Sequence, residues 1–357
     1  MKLPKVGAMR SATSGARLSA ANSLVQRTLA QHGLADQSSP AEKPAMPALD
    51  NILANFSPSQ SWSGASRAAV PNGATFKDST FTCEAGSRRF CTYVPAKAAA
   101  GAAGVLVMLH GCTQTPEDFA VGTGMNTFAD AHGFVVVYPA QSRVDNAQSC
   151  WNWFNRGDQR RGSGEPALLA ALTRQVCTEH GIGQERTFVA GLSAGAAMAV
   201  ILGDTYPDVY AAVGAHSGLP LGSAKDVSSA FAAMAGNGLE APDVATTTDP
   251  VRTIVFHGTA DNTVHQLNGD SIARRARDSY ACQSIETTIS GKAGGRTYTR
   301  AVSSDLNGTA LVEHFIIQGQ GHAWSGGQPA GSYTDPKGPD ASAEMIRFFF
   351  EIPSKTS

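Results

Sequence analysis

The chain has 357 residues, with 28 Lys+Arg against 29 Asp+Glu and a formal net charge of −1. Such an even balance argues against a protein that grips nucleic acid or an anionic membrane, since either would carry a basic excess. With 42% hydrophobic and 16% charged residues, the composition is globular, and no apolar run approaches the ~18 residues that cross a bilayer.

Residues 1–35 carry Lys2, Lys5, Arg10, Arg17 and Arg27 with no acid before Asp36. Leu18, Ala21, Val25 and Leu29 recur at helical spacing, which predicts a short basic amphipathic helix ended at Gly33. A Sec-type leader needs roughly 7–15 consecutive apolar residues behind its charges. Nothing between Met1 and Leu34 supplies them, so no leader of that type is expected. The helix is expected to dock on the main domain or stay mobile, with attachment to a membrane or lipid-like surface, or atypical export or targeting, as the alternatives. Residues 36–73, rich in Ser, Pro, Ala and Asn, read as a linker or surface strap.

Residues 74–353 read as one domain in which apolar strands alternate with helices. The strands are expected at Arg89–Val94, Val105–Leu109, Val135–Tyr138, Thr187–Gly191, Ala211–Ala215, Thr253–His257 and His314–Ile317. The central ones are short, continuous and β-branched, as strands buried on both faces should be. Helices are expected at Met125–His132, Glu165–His180, Ala194–Tyr206, Asn268–Cys282 and Ala341–Phe350. That order predicts a doubly wound α/β domain, its sheet mostly parallel with helices on both faces.

Six cysteines, Cys83, Cys91, Cys112, Cys150, Cys177 and Cys282, permit three disulfides without requiring any. No C-x-x-C pair and no short-interval Cys/His cluster occurs, so no metal is expected. Cys83 and Cys91 flank a segment that reads as a hairpin and could face each other across it; bonded and free states both remain open.

Gly191-Leu192-Ser193-Ala194-Gly195 matches G-x-S-x-G, a sharp strand-to-helix turn that lifts a serine hydroxyl out of the top of a sheet. It falls between an expected strand and an expected helix of small residues. A serine needs a base to take its proton and an acid to orient that base, and the chain order in this arrangement is Ser, acid, His. Asp261 ends the loop after one strand and His322 lies on a Gly-rich loop after the last, both at carboxyl ends where α/β sites assemble. Asp204 and Asp208 fall at the far end of the helix, Asp270 reads as a first-turn charge, and His257 and His265 do not follow the last strand. Oxyanion donors are expected in the backbone N–H groups of Ala194 and Cys112. A bond from Cys112 to Cys150 would pin that loop to Trp151-Asn152-Trp153-Phe154. Trp151, Trp153, Trp324 and His216 are the candidate substrate contacts, with Trp324 as a pocket wall and His216 at the rim.

Taken together, Val107 to Gln114, Val137 to Gln141, Cys150 to Phe154, Gly191 to Met198, His257 to Val264 and Gly319 to Trp324 resemble the polyhydroxybutyrate depolymerase family of serine esterases. The resemblance covers roughly residues 75–350. It implies an α/β-hydrolase fold, a triad of Ser193, Asp261 and His322, Cys112 in the oxyanion loop, no cofactor, and hydrolysis of poly- or oligo-3-hydroxybutyrate. Related members are feruloyl and acetylxylan esterases, which makes plant polysaccharide esters the alternative substrate; a peptidase or a non-catalytic binding protein on the same fold is more distant. Secreted members carry a leader and a polymer-binding domain, neither evident here, so the basic helix is a candidate for surface binding. The family and the even cysteine count point to an extracellular protein, and the missing Sec-type leader makes the cytoplasm the alternative. Oligomeric state is not read from the sequence.

Overall fold

A computed structural model of the chain describes residues 70–238, 250–280 and 284–351. The chain divides into two units, Met1–Ser57 and Pro58–Ser357, and every described residue belongs to the second. The expected helix over 1–35 and nearly all of the strap over 36–73 lie outside the described residues.

Ten strands form one sheet in the order β1-β2-β4-β3-β5-β6-β7-β10-β9-β8. Its centre is parallel: β4 (Val135–Pro139), β3 (Val105–Leu109), β5 (Thr187–Leu192), β6 (Ala212–His216), β7 (Arg252–Gly258) and β10 (Ala310–Ile317). Every residue of β3, β4, β5 and β6 is buried, which is why these segments read as unbroken apolar runs. Alternate residues face opposite layers. Val105, Val107 and Leu109 join one core with Val135, Val137, Val189 and Val255, whereas Leu106 and Met108 join another with Val136, Tyr138, Phe188 and Phe256.

Helices cover both faces. α3 (Gly164–His180), α4 (Ala194–Thr205) and α6 (Leu267–Asp278) contribute to the first core, while α1 (Pro116–Thr123), α2 (Met125–His132) and α7 (Ala341–Phe350) contribute to the second. Each large aliphatic or aromatic side chain fully buried in these layers contributes about 1.5–3 kcal/mol. α1 and α5 (Val227–Met234) had no expected counterpart, although both carry local start signals. Thr115 caps α1 by accepting from the Asp118 N–H ahead of a first-turn Pro116, and Asp226 and Ser229 form a capping box at α5. α6 stops at Asp278, short of the Cys282 expected. Residues 281–283 lie outside the described residues.

β1 (Thr75–Cys83) pairs antiparallel with β2 (Gly86–Val94) at one edge, and β8 (Ile285–Ala293) with β9 (Arg296–Ser304) at the other. Of these border strands, β2 covers the expected Arg89–Val94, whereas β1, β8 and β9 had no expected counterpart. Residues of β1 and β8 are exposed on both faces, so neither shows the apolar alternation that marks a half-buried strand. The β1–β2 register sets Cys91 opposite Asp78 and Cys83 opposite Gly86, so the two cysteines do not face each other, and both are free. Cys112 and Cys150 are disulfide-bonded. No helix among the described residues is long and apolar enough to cross a membrane.

Candidate active site

The parallel register brings the strand ends level, with Leu109 beside Gly191, Leu192 beside His216, His216 beside Phe256, and Ile317 beside Gly258. The loops after β3, β5, β6, β7 and β10 therefore share the carboxyl edge of the sheet. Six described non-glycine residues take positive φ, and five of them, Thr113, Ser149, Ser193, Ser217 and Tyr333, lie in loops beyond the ends of β3, β4, β5, β6 and β10. Such strain concentrates where surrounding structure holds a functional geometry.

Ser193 sits at φ 57, ψ −120 between β5 and α4. Its N–H donates to the His216 carbonyl at 2.9 Å. The turn closes only because its glycines have no side chain. A Cβ on Gly195 would lie 2.0 Å from the Leu109 carbonyl oxygen and 2.6 Å from that of His110, and one on Gly191 would lie 2.4 Å from the Gly195 backbone. This contact sets the start of α4 against the end of β3. Ala194, as the first residue of α4, has an N–H without an intrahelical acceptor.

Asp261 and His322 meet directly, His322 Nδ1 donating to Asp261 Oδ2 at 2.7 Å. The other carboxylate oxygen accepts from the N–H groups of Thr263 at 2.9 Å and Val264 at 2.8 Å. Burial alone would raise the Asp261 pKa, but the His322 hydrogen bond and the neighbouring imidazoles outweigh it and hold the carboxyl below its ordinary value. Thr259 N donates to Ile317 O at 3.0 Å and Ala260 N to Gln320 O at 3.0 Å, tying the acid's loop to the histidine's.

The loop after β3 is braced from below. The Cys112–Cys150 disulfide spans 38 residues, and Thr113 N donates to Gln148 O at 2.8 Å. Trp151 Nε1 donates to His110 O at 3.0 Å, and His110 Nε2 accepts from the Gln141 N–H at 3.1 Å. Burial pushes His110 down to about 4, so it accepts as a neutral ring. Beneath it, the Glu165 carboxylate accepts from Asn152 N at 2.7 Å and from the Gln141 amide, and lies 3.7 Å from the buried Arg88 guanidinium. Sequence reasoning missed this brace. Glu165 looks like any first-turn acid, and only the fold carries Arg88 and Gln141 to it.

Four expected substrate contacts are corrected. Trp151, Trp153, Trp324 and His216 are 0%, 6%, 1% and 0% exposed. Trp324 packs edge-on against Phe119 and donates Nε1 to Ser342 Oγ at 3.1 Å, so it is a core residue rather than a pocket wall. His216 ends a central strand, and its ring packs against Phe256 and Trp324 and accepts from the Ser325 N–H, so it lies under the site instead of at its rim. The more open group beside Cys112 is Thr113, whose hydroxyl lies 3.1 Å from that of Tyr333. Asp78, Cys91 and Glu117 bring possible ligand atoms within 4.8 Å of one another, but Arg89 occupies that space and donates to both carboxylates.

A mostly parallel sheet with helices on both faces, a serine elbow after its central strand and an acid–histidine pair at the same edge define an α/β-hydrolase. A family described as "Esterase PHB depolymerase" matches residues 88–298, more than half of the chain, and the chain belongs to that family. Poly(3-hydroxyalkanoate) depolymerase C of Paucimonas lemoignei is 32% identical over 68% of this chain and 60% of its own length. Poly(3-hydroxybutyrate) depolymerase of Ralstonia pickettii is 29% identical over 64% of this chain and 49% of its own. The chain thus spans about half to three-fifths of these relatives. Among solved structures, an acetyl xylan esterase from Aspergillus awamori superposes with TM-score 0.63 and 20% identity over 77% of this chain and 99% of that one, a likeness of fold.

Proposed function

We propose that the protein is a serine esterase that hydrolyses poly- or oligo-3-hydroxybutyrate through an acyl-enzyme. The observation that carries the reading is the 2.7 Å hydrogen bond from His322 Nδ1 to Asp261 Oδ2, at the sheet edge where the Ser193 turn also ends. With Nδ1 donating to the carboxylate, Nε2 is the acceptor nitrogen of the neutral ring. Ser193 Oγ attacks the ester carbonyl carbon and its proton passes to His322 Nε2. The N–H groups of Ala194 and Cys112 take the oxyanion. The C–O bond to the alcohol then breaks, and the leaving oxygen takes the proton from His322. Water repeats the sequence on the acyl-enzyme, giving the hydroxy acid and free Ser193.

Membership of the family supports the ester class, and the names of the two depolymerase relatives support the hydroxyalkanoate. The Cys112–Cys150 disulfide supports action outside the reducing cytosol. The test is release of 3-hydroxybutyrate from soluble oligomers and amorphous polymer by the purified chain. Turnover is expected with both, and Ser193→Ala should abolish it. Hydrolysis of methyl ferulate or acetylxylan in place of the oligomers would transfer the reading to plant esters, and turnover of none of them would end it.

A further inference from the structure

His216 is buried completely, yet it makes polar contacts with both halves of the site. Its carbonyl accepts the Ser193 N–H at 2.9 Å. Its ring Nε2 accepts the Ser325 N–H at 3.0 Å, and the Gln320 amide nitrogen lies 3.5 Å away. Ser325 and Gln320 bracket His322 in the loop after β10. Because a backbone N–H only donates, Nε2 carries no proton, so Nδ1 carries it and faces Ser217 Oγ at 3.2 Å. The ring stacks on Phe256 and on Trp324, with centroids 5.7 and 5.2 Å away and interplanar angles of 10° and 26°. Burial, with the His257 and His322 imidazoles close by, pushes His216 down to about 3. The ring is therefore neutral and its acceptor nitrogen constant across the working range of an esterase.

We propose that His216 is a positioning residue of the hydrolase: its main chain holds the nucleophile Ser193 while its imidazole holds the loop that carries the base His322. The inference rests on the esterase reading above, since it assigns the two groups that must be kept in register. A histidine suits the position because one side chain offers flat faces for stacking and an acceptor at ring depth, where Ser325 N–H would otherwise be buried without a partner. A shift of about 1 Å in such a loop costs on the order of 100-fold in rate.

Three variants of the full chain separate positioning from mere packing. Gln sets its amide oxygen where Nε2 stands, Asn sets its polar group only where Nδ1 stands, and Phe keeps the stacked ring without an acceptor. His216→Asn and His216→Phe should lose about 10- to 100-fold in kcat on soluble 3-hydroxybutyrate oligomer with little change in KM, and should react more slowly with diethyl p-nitrophenyl phosphate at Ser193. His216→Gln should stay within about threefold of the wild type, a rescue that packing alone does not predict. Asn and Gln variants of equal activity would overturn the proposal, and that comparison stands even where the Phe variant fails to fold. Amide exchange at Ser325 is read independently of substrate and should be about tenfold faster in the Asn variant than in the Gln variant. Equal exchange in the two overturns the positioning role, whereas a wild type inert to both ester and phosphate triester removes only the esterase reading.

Discussion

At the scale of single residues, the polarity of one carboxylate decides what the histidine does. Asp261 Oδ2 accepts from His322 Nδ1, while Oδ1 is already committed to two backbone N–H groups. Asp261→Asn leaves the volume and the Oδ1 bonds in place but turns an N–H toward Nδ1. That reverses the tautomer and puts a proton on the nitrogen that accepts one in the proposed mechanism. The expected result is a fall of roughly 10³–10⁴-fold in kcat with KM nearly unchanged and a melting temperature close to wild type, measured by steady-state kinetics and thermal unfolding. An unchanged kcat would strip Asp261 of the orienting role. All three proposed catalytic residues were legible in the sequence because each follows a strand and the chain order is restrictive. His216 was not read correctly, because depth is a property of the finished sheet. A polar residue at the end of a short apolar strand looks the same whether side chains packed on the sheet cover it or leave it open.

At the scale of elements, the loop after β3 is stabilised from three directions: the disulfide to Cys150, the Trp151–His110–Gln141 chain of hydrogen bonds, and the buried Glu165 with Arg88. Closing a 38-residue loop limits the unfolded chain by about 4 kcal/mol in the chain-entropy account. Cys150→Ser leaves the Cys112 N–H in place, so it isolates the brace from the proposed oxyanion donor. It should cost about 2–4 kcal/mol in urea unfolding and lower kcat more than it raises KM. A variant of wild-type kcat would mean that hydrogen bonds alone hold the loop. The β8–β9 hairpin carried a sequence signal that went unused: Gly294-Gly295 joins the strands with both residues at positive φ, as a two-residue hairpin turn requires. The strands themselves gave no periodic signal, since both faces of β8 meet solvent.

At the scale of the whole molecule, burial of neutral histidines ties stability to pH. His110 and His314 are pushed down to about 4 and His216 to about 3, each chiefly by burial, and His257 is lowered for the same reason. For each, the folded state binds its proton less tightly than the unfolded chain. The associated stability is therefore fully present above the unfolded value near 6.5 and is lost as pH falls toward the folded value. Between pH 7 and pH 5 the loss is on the order of 2 kcal/mol for each of the three, so the urea midpoint should drop steeply over that interval. Asp261 acts in the same direction only at lower pH, because its depressed carboxyl is protonated below the ordinary carboxylate range. A midpoint that stays flat from pH 7 to pH 5 would show that these rings are not held neutral.

The sequence by itself determined the parallel core, the serine elbow and the order of the three groups around it. These depend on short-range facts: unbroken β-branched runs, glycines at a turn too tight for a Cβ, and a histidine or aspartate a few residues beyond a strand. Only the tertiary structure decided which side chains are shut away from solvent, which cysteines pair, and how Arg88, Gln141 and Glu165 join beneath the site. Those outcomes depend on which strands lie side by side and in what register, and that adjacency brings together residues 24 to 109 positions apart that no local pattern connects.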